Sequence, residues 1–396
     1  MTGPVLRPIT AGVVCALVGF TSSFVVILTG LAAVGATASQ AASGLLAVSV
    51  TMGAGSILLA AWTRIPITVA WSTPGAALLA ATGMVSGGWP AAVGAFLLTG
   101  VLIVLTGLIS RLGALISAIP GAIAQAMLAG ILFQLCLGPV TGLARDPLAV
   151  APVVIVWLLA LRFWPRWASP LAFCAAAVVI AVHLVRTGTS IRTDQFLPQI
   201  SLTAPHLTFG AVIGIALPLY LVTMASQNVP GVAVMKSLGY QVPWRRSMLV
   251  TGAGTVLGAP AGGHAINLAA ISAALAAGPE AGPDRSRRWI ASVTSGLVVI
   301  GLGLAAGAFG QLVVLAPAGV IAAVAGLALM STLAGSLTAA LAAPENHLPA
   351  VLTFVTAASG VAVAGVSAAF WALVVGLVVR AVLGRPKENL PAGATR

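Results

Sequence analysis

Ile65-Pro66-Ile67-Thr68-Val69-Ala70-Trp71-Ser72-Thr73-Pro74-Gly75 is an apolar run that changes character half-way along. β-Branched Ile67, Thr68 and Val69 favour extended backbone. Ser72-Thr73 followed by Pro74 reads as a helix start, because proline suits the first turn. A second stretch reads the same way: Gly258-Ala259-Pro260-Ala261-Gly262-Gly263-His264-Ala265-Ile266-Asn267, with Pro260 placed 194 residues after Pro66. There Gly262-Gly263 predicts close approach of the backbone to a ligand just before a helix begins. Two short, Gly/Pro-interrupted apolar segments at matching positions are the sequence mark of a transporter core.

The rest of the chain places these segments in a bilayer. Hydrophobic residues make up 60% of the 396 residues and charged residues 6%, whereas a soluble domain carries about 45–50% apolar and about 25% charged residues. Mean hydropathy is +1.12. The net charge of +12 comes from basic residues scattered singly between apolar runs, which argues for membrane topology and against nucleic acid. The N-terminus lacks a small-residue cleavage site after a short apolar run, so the first helix is expected to be retained. Cys15, Cys136 and Cys174 lie in apolar stretches without metal-ligand spacing and are expected to be small buried hydrophobes. Neither a metal nor a cofactor is expected.

Apolar runs fall near 10–33, 38–62, 65–83, 89–110, 115–138, 148–163 and 169–186. They resume near 208–232, 247–261, 263–277, 289–309, 316–342, 348–366 and 368–384. The expected fold is an all-α polytopic membrane protein of about fourteen segments, given about 20 residues per span. With the N-terminus inside, fifteen of the 18 basic residues fall on the cytoplasmic side, and only Arg145, Arg186 and Arg192 fall elsewhere. That bias puts both termini in the cytoplasm of a cell whose inner membrane holds the protein.

The two sets of seven look duplicated. Gly100 and Gly107 have counterparts in Gly296 and Gly303, and Ile119-Pro120-Gly121-Ala122-Ile123 resembles Ala316-Pro317-Ala318-Gly319-Val320. Seven is odd, so the second half enters the membrane in the opposite sense, as an inverted repeat. The expected organisation is a first repeat at 1–187, a linker at 188–207, a second repeat at 208–385 and a cytoplasmic tail at 386–396.

Broken helices of this kind bring free N–H groups and positive dipole ends to the middle of the membrane, which favours an anion. The acidic residues Asp146, Asp194, Glu280, Asp284, Glu345 and Glu388 all map to loops or the tail. Candidate ligand-binding residues are therefore Trp71, Ser72, Thr73, Gly262, Gly263, His264, Ala265 and Asn267. Gln227 and Asn228 join them from Thr223-Met224-Ala225-Ser226-Gln227-Asn228-Val229-Pro230-Gly231, since amides are costly in lipid and face inward. Ser22 and Ser23, in the matching part of segment one, are binding residues or helix–helix contacts. Trp71 offers a flat face to an aromatic ring or ordinary packing. His264 is a proton carrier, titrating near neutrality, or a fixed hydrogen-bond donor.

Several strings resemble one family: AWSTPGAALL (Ala70 to Leu79), LVTMASQNVPG (Leu221 to Gly231), GGHAINLAAISAA (Gly262 to Ala274), VAGLALMSTLAGSL (Val324 to Leu337) and SAAFWALVVG (Ser367 to Gly376). They resemble the benzoate membrane transport protein (BenE) family from about residue 8 to residue 385. The resemblance implies benzoate/proton symport and a fold similar to that of the nucleobase–cation symporters and related anion transporters. In that fold segments 1–4 and 8–11 form a substrate-carrying core, 5–7 and 12–14 form a gate, and segments 3 and 10 supply half-helices. It also implies a possible homodimer. Nucleobase relatives carry carboxylates on segments 8 and 10 where this chain has Gln227 and His264, a departure that suits an anionic substrate. The expected function is proton-coupled uptake of benzoate or a related aromatic carboxylate by alternating access. The alternative is a passive aromatic-anion channel or uniporter; no motif for enzymatic chemistry is present.

Overall fold

A computed structural model describes residues 6–189, 196–197, 199–270, 272–363 and 366–383. The expected tail at 386–396, together with Arg192, Asp194 and Arg385, lies outside the described residues. The first half runs through α1 (Leu6–Thr21), α2 (Phe24–Ala33), α3 (Ala38–Thr63), β1 (Val69–Trp71), α4 (Thr73–Thr82), α5 (Gly88–Leu108) and the short α6 (Ser110–Ser117). It continues with α7 (Gly121–Cys136), α8 (Gly138–Arg145), α9 (Pro147–Phe163) and α10 (Ala168–Thr187). The second half opens with one long helix, α11 (Phe209–Ala211), α12 (Leu217–Thr223) and α13 (Val229–Ser237), joined by π turns at Val212–Ala216 and Met224–Asn228. Then come α14 (Trp244–Gly258), β2 (Ile266–Leu268), α15 (Ala273–Ala277), α16 (Trp289–Gly303), α17 (Ala306–Leu315), α18 (Val320–Ala340), α19 (His347–Ala358) and α20 (Ala368–Leu383).

Among the described residues, seven helices are long and apolar enough to cross a membrane, or eight if the bent pair Arg285–Gly303 and Ala306–Val314 counts as one span. Helix outer faces are greasy, on these spans and on the shorter α9 and α20 alike: Val185 is 83% exposed, Leu148 88% and Val382 79%. Apolar exteriors on helices whose backbone bonds are closed internally are what hydrocarbon requires. Cys174 lies on such an exterior, not in the core as its composition suggested; its α10 neighbours Val178, Val182 and Val185 are exposed too. Cys15 and Cys136 are buried as expected.

Local chemistry sets the breaks. In α1, Thr21 and Ser22 hydroxyls donate back to the carbonyls of Leu17 and Gly19. Ser23 then leaves helical geometry at φ −147°, so segment one is cut between α1 and α2. α3 opens on a capping box in which Thr37 and Gln40 bond each other's backbone N–H. It ends at Arg64, which adopts φ 55°.

The centre is an antiparallel strand pair in which Val69 faces Leu268, Ala70 faces Asn267 and Trp71 faces Ile266. Each strand enters under a hydroxyl from the helix before it. The Val69 N–H donates to Ser56 Oγ of α3 at 2.8 Å, and the Ile266 N–H to Thr255 Oγ1 of α14 at 3.1 Å. Helix contacts repeat with the same spacing. A Cβ on Gly53 of α3 would stand 2.6 Å from the carbonyl oxygen of Gly296 on α16, and one on Gly296 2.5 Å from that of Gly53. Gly100 of α5 and Gly252 of α14 stand in the same reciprocal relation, at 3.0 and 2.9 Å. Only glycine permits such backbone approach.

Connections gather at two ends. At one, Arg64 lies over the Trp289 ring at 4.2 Å and Arg246 over Trp62 at 4.5 Å. Arg285 stacks on Tyr240 at 4.9 Å, and Arg166 pairs with Glu280 through two hydrogen bonds. At the other end, Trp89 donates to Thr203 at 2.9 Å and Thr208 to the Ser86 carbonyl at 3.1 Å.

Candidate functional site

Beside the strand pair, where α1 breaks and α4 begins, lies a cavity of about 150 Å³. A void of roughly that size accepts one benzene ring. Its wall includes Phe20, Ser22 and Ser23 from the break in segment one, and Trp71 and Thr73 from β1 and α4. Gln227 from the second π turn, Ala269, Ala270 and Ser272 from the approach to α15, and Ser295 and Thr332 also line it. The lining contains no lysine, arginine, aspartate or glutamate.

The aromatic wall is held by polar bonds. Trp71 is 3% exposed, its ring 5.2 Å from that of Phe20 and tilted by 58°. Its Nε1–H donates to Ser23 Oγ at 2.8 Å, while the Ser23 hydroxyl donates to the Gly19 carbonyl at 3.3 Å. Phe20 and Phe24 in turn pack on Phe309 of α17, at 5.2 and 4.8 Å. A flat apolar face is thus fixed in angle.

The polar end is the start of α4. Ser72 is its N-cap, and its Oγ accepts from the Gly75 N–H at 3.1 Å. Pro74 contributes no N–H, so Thr73, half-buried, brings the hydroxyl and N–H that point of the helix has left to offer. Gln227 is half-buried too, and among the described residues its side-chain amide has no hydrogen-bond partner. A helix N-terminus with an uncommitted amide nearby suits a carboxylate without a cationic side chain.

Five expected residues therefore reach the wall: Ser22, Ser23, Trp71, Thr73 and Gln227. Ser72, Asn228, Gly262, Gly263, His264, Ala265 and Asn267 are buried behind it. Asn228 Oδ1 accepts from the Leu268 N–H at 2.9 Å, tying β2 to the π turn. Asn267 donates to the Leu268 carbonyl at 2.8 Å. Ala265 accepts from the Ser72 N–H at 2.9 Å, and His264 Nε2 lies 3.2 Å from the Ser72 carbonyl. Gly262 and Gly263 pack closely against protein. Gly262 takes φ +89°, a Cβ on Gly263 would meet the Gly258 carbonyl at 2.9 Å, and one on Gly44 would meet that of Gly262 at 2.6 Å.

The second half-helix also starts later than its sequence suggested. Residues 263–265 remain irregular, β2 follows, and α15 begins only at Ala273, with five residues. Strand pairing claims Ile266–Leu268, which defers the helix start. Arg288 closes the far end of α15. It is 8% exposed, and it donates to the carbonyls of Ala277 and Gly282, each at 2.8 Å.

Phe20, Ser272, Ser295 and Thr332 line the cavity without having been singled out in the sequence, and Ser56 and Thr255 anchor the strands. The one available signal was periodic: Ser56 and Thr255 stand 199 residues apart and Val69 and Ile266 197 apart, close to the duplication offset.

A helical membrane fold with interrupted helices around a ring-sized cavity defines the class of membrane transporters. Comparison with known proteins narrows it. Residues 5–382 match the family model described as benzoate membrane transport protein, BenE, and the chain belongs to that family. It is 30% identical to the benzoate membrane transport protein of Acinetobacter baylyi over 379 residues, 96% of this chain and 95% of the relative. It is 36% identical to the inner membrane protein YdcO of Escherichia coli over 375 residues, 94% of this chain and 95% of the relative. Among solved structures, the transmembrane domain of a cyanobacterium bicarbonate transporter, BicA, superimposes with TM-score 0.62 at 14% identity, covering 97% of this chain and 98% of that one. The murine Slc26a9 anion transporter in its inward-facing state gives 0.63 at 14%, covering 97% and 68%.

Proposed function

We propose that this protein carries benzoate or a related aromatic carboxylate across the inner membrane, coupled to a proton, by alternating access. The observation that carries the reading is the cavity. A ring-sized void is lined both by an aromatic face from Phe20 and Trp71 and by the α4 N-terminus with Gln227. In this reading the carboxylate meets Thr73 and Gln227, and the ring lies along Trp71. The family match and the name of the Acinetobacter relative support the substrate.

The full plan proposed is fourteen segments in a 7+7 inverted repeat, on the pattern of the nucleobase–cation symporters and their anion-transporting relatives, with both termini cytoplasmic. Support comes from the strand pair, the paired strand anchors Ser56 and Thr255, and the reciprocal glycine contacts, all related by nearly one offset. The connections after the second, sixth, eighth and tenth segments meet at one end, where Arg64, Arg166, Arg246 and Arg285 make their contacts; a cytoplasmic face requires that. Segments 1–4 and 8–11 form the moving core and 5–7 and 12–14 the gate.

The test is uptake of labelled benzoate by purified protein in liposomes under an imposed pH gradient. Accumulation above the outside concentration, collapsed by a protonophore, is expected. Uptake that only equilibrates identifies a passive uniporter or channel. No uptake of benzoate under any gradient removes the substrate assignment.

A further inference from the structure

Ser72 is a junction between the two halves. Two of its bonds are the ordinary cap of α4: Gly75 N–H to Oγ at 3.1 Å and Ala76 N–H to the carbonyl at 2.8 Å. Three others come from the second half: its N–H donates to Ala265 at 2.9 Å, Thr223 Oγ1 donates to its Oγ at 2.9 Å, and His264 Nε2 reaches its carbonyl at 3.2 Å. Ser72, Thr223 and His264 are 0%, 0% and 1% exposed. A carbonyl oxygen only accepts, so Nε2 bears the hydrogen in this bond. The other ring nitrogen, Nδ1, is buried with no hydrogen-bond partner among the described residues, and the imidazole lies 6.5 Å from the Phe96 ring at a steep angle.

A proton carrier needs one nitrogen open to a donor and a route to an acceptor. His264 offers neither, because one nitrogen faces an amide carbonyl and the other is enclosed by protein. We infer that His264 is a positioning residue: with Thr223 it fixes the Ser72 peptide, and so aims the Thr73 N–H and hydroxyl at the substrate's carboxylate. The bond acts one residue upstream of the binding group, on the peptide plane that sets the direction of the α4 N-terminus. Losing it frees that plane to rotate, so affinity falls while the moving parts stay intact. The inference rests on the transport reading only for its kinetic consequence; the fixing of α4 stands apart from what is carried.

The experiment compares H264Q, H264A and T223V in liposomes. Glutamine places an N–H within reach of the same carbonyl but does not titrate. Hydrogen exchange of the amides at 73–79, measured without substrate, is expected to match wild type in H264Q and to be at least tenfold faster in H264A and T223V. KM for benzoate is expected within twofold of wild type in H264Q and raised tenfold or more in the other two, with turnover changed by less than threefold. Proton-driven accumulation is retained in H264Q. Loss of accumulation in H264Q with exchange unchanged makes His264 the proton carrier and overturns the inference. Wild-type exchange in H264A, or in T223V where H264A does not fold, overturns it as well. Should wild type take up no benzoate, the transport reading fails and the exchange comparison alone still decides the positioning role.

Discussion

Replacing Ser23 by alanine removes the acceptor of the Trp71 indole N–H, which lies 2.8 Å from Ser23 Oγ with both residues at 5% exposure or less. A buried donor left without a partner costs about 1–3 kcal/mol. At about 1.4 kcal/mol per tenfold, that is a loss of roughly 5- to 150-fold in benzoate affinity if the cost falls on the cavity-lining arrangement. A water entering the cavity in place of the hydroxyl sets the lower end. Trp71→Phe keeps a ring against Phe20 but has no N–H to strand, and it leaves the Ser23 hydroxyl donating to Gly19. The double variant should therefore be less impaired than the product of the singles, by roughly fivefold or more, a coupling of at least about 1 kcal/mol. KM for labelled benzoate in liposomes, with direct binding by calorimetry, reads both numbers. Strictly additive effects, or a Ser23→Ala protein within twofold of wild type, would refute the idea that this bond sets the aromatic wall.

Gln227→Glu should raise KM at neutral pH more than Gln227→Ala does, because a carboxylate in the cavity wall repels an anion; equal effects in uptake assays contradict a carboxylate site there. Gly53→Ala drives a methyl into the Gly296 carbonyl, and overpacking of that kind costs about 1–3 kcal/mol, visible as a lower midpoint of thermal unfolding in detergent. Arg166→Ala removes an exposed ion pair with Glu280; such pairs contribute about 0–1 kcal/mol, so unfolding should shift little, and less at high salt. The Asp284 carboxyl is held below the usual carboxylate range, first by hydrogen bonds from the Ser286 side chain and backbone and then by Arg287 and Arg288. Its contribution is present above its unfolded pKa and lost only as pH falls through the lower folded value, so Asp284→Asn should leave the pH dependence of uptake near neutrality unchanged.

Much of this organisation was legible because few residue types decide it. Ser72, Pro74 and the β-branched run before them specify strand then helix, and the structure follows within a residue or two. Pro260 and Gly262-Gly263 marked a place of close backbone packing. Glycines announce close approach but not to what, and here the neighbours are Gly44 and Gly258. Membership of an apolar stretch also misplaces Cys174, since in lipid an apolar residue is equally at home outside. Gln227 and Asn228 are adjacent amides of similar cost, yet one lines the cavity and the other bonds the β2 backbone. The π turn at Met224–Asn228 sets their directions, and no residue within it advertises a wide turn.

The antiparallel strand pair has a mechanical consequence. Besides its own ladder it is closed at both ends, by Ser72 N–H to Ala265 and Ala269 N–H to Thr68, each at 2.9 Å. Prising the strands apart away from water would strand backbone groups at several kcal/mol each. The tips of α4 and α15 are therefore yoked. A displacement of either tip carries the other with it, so the two behave as one rigid piece.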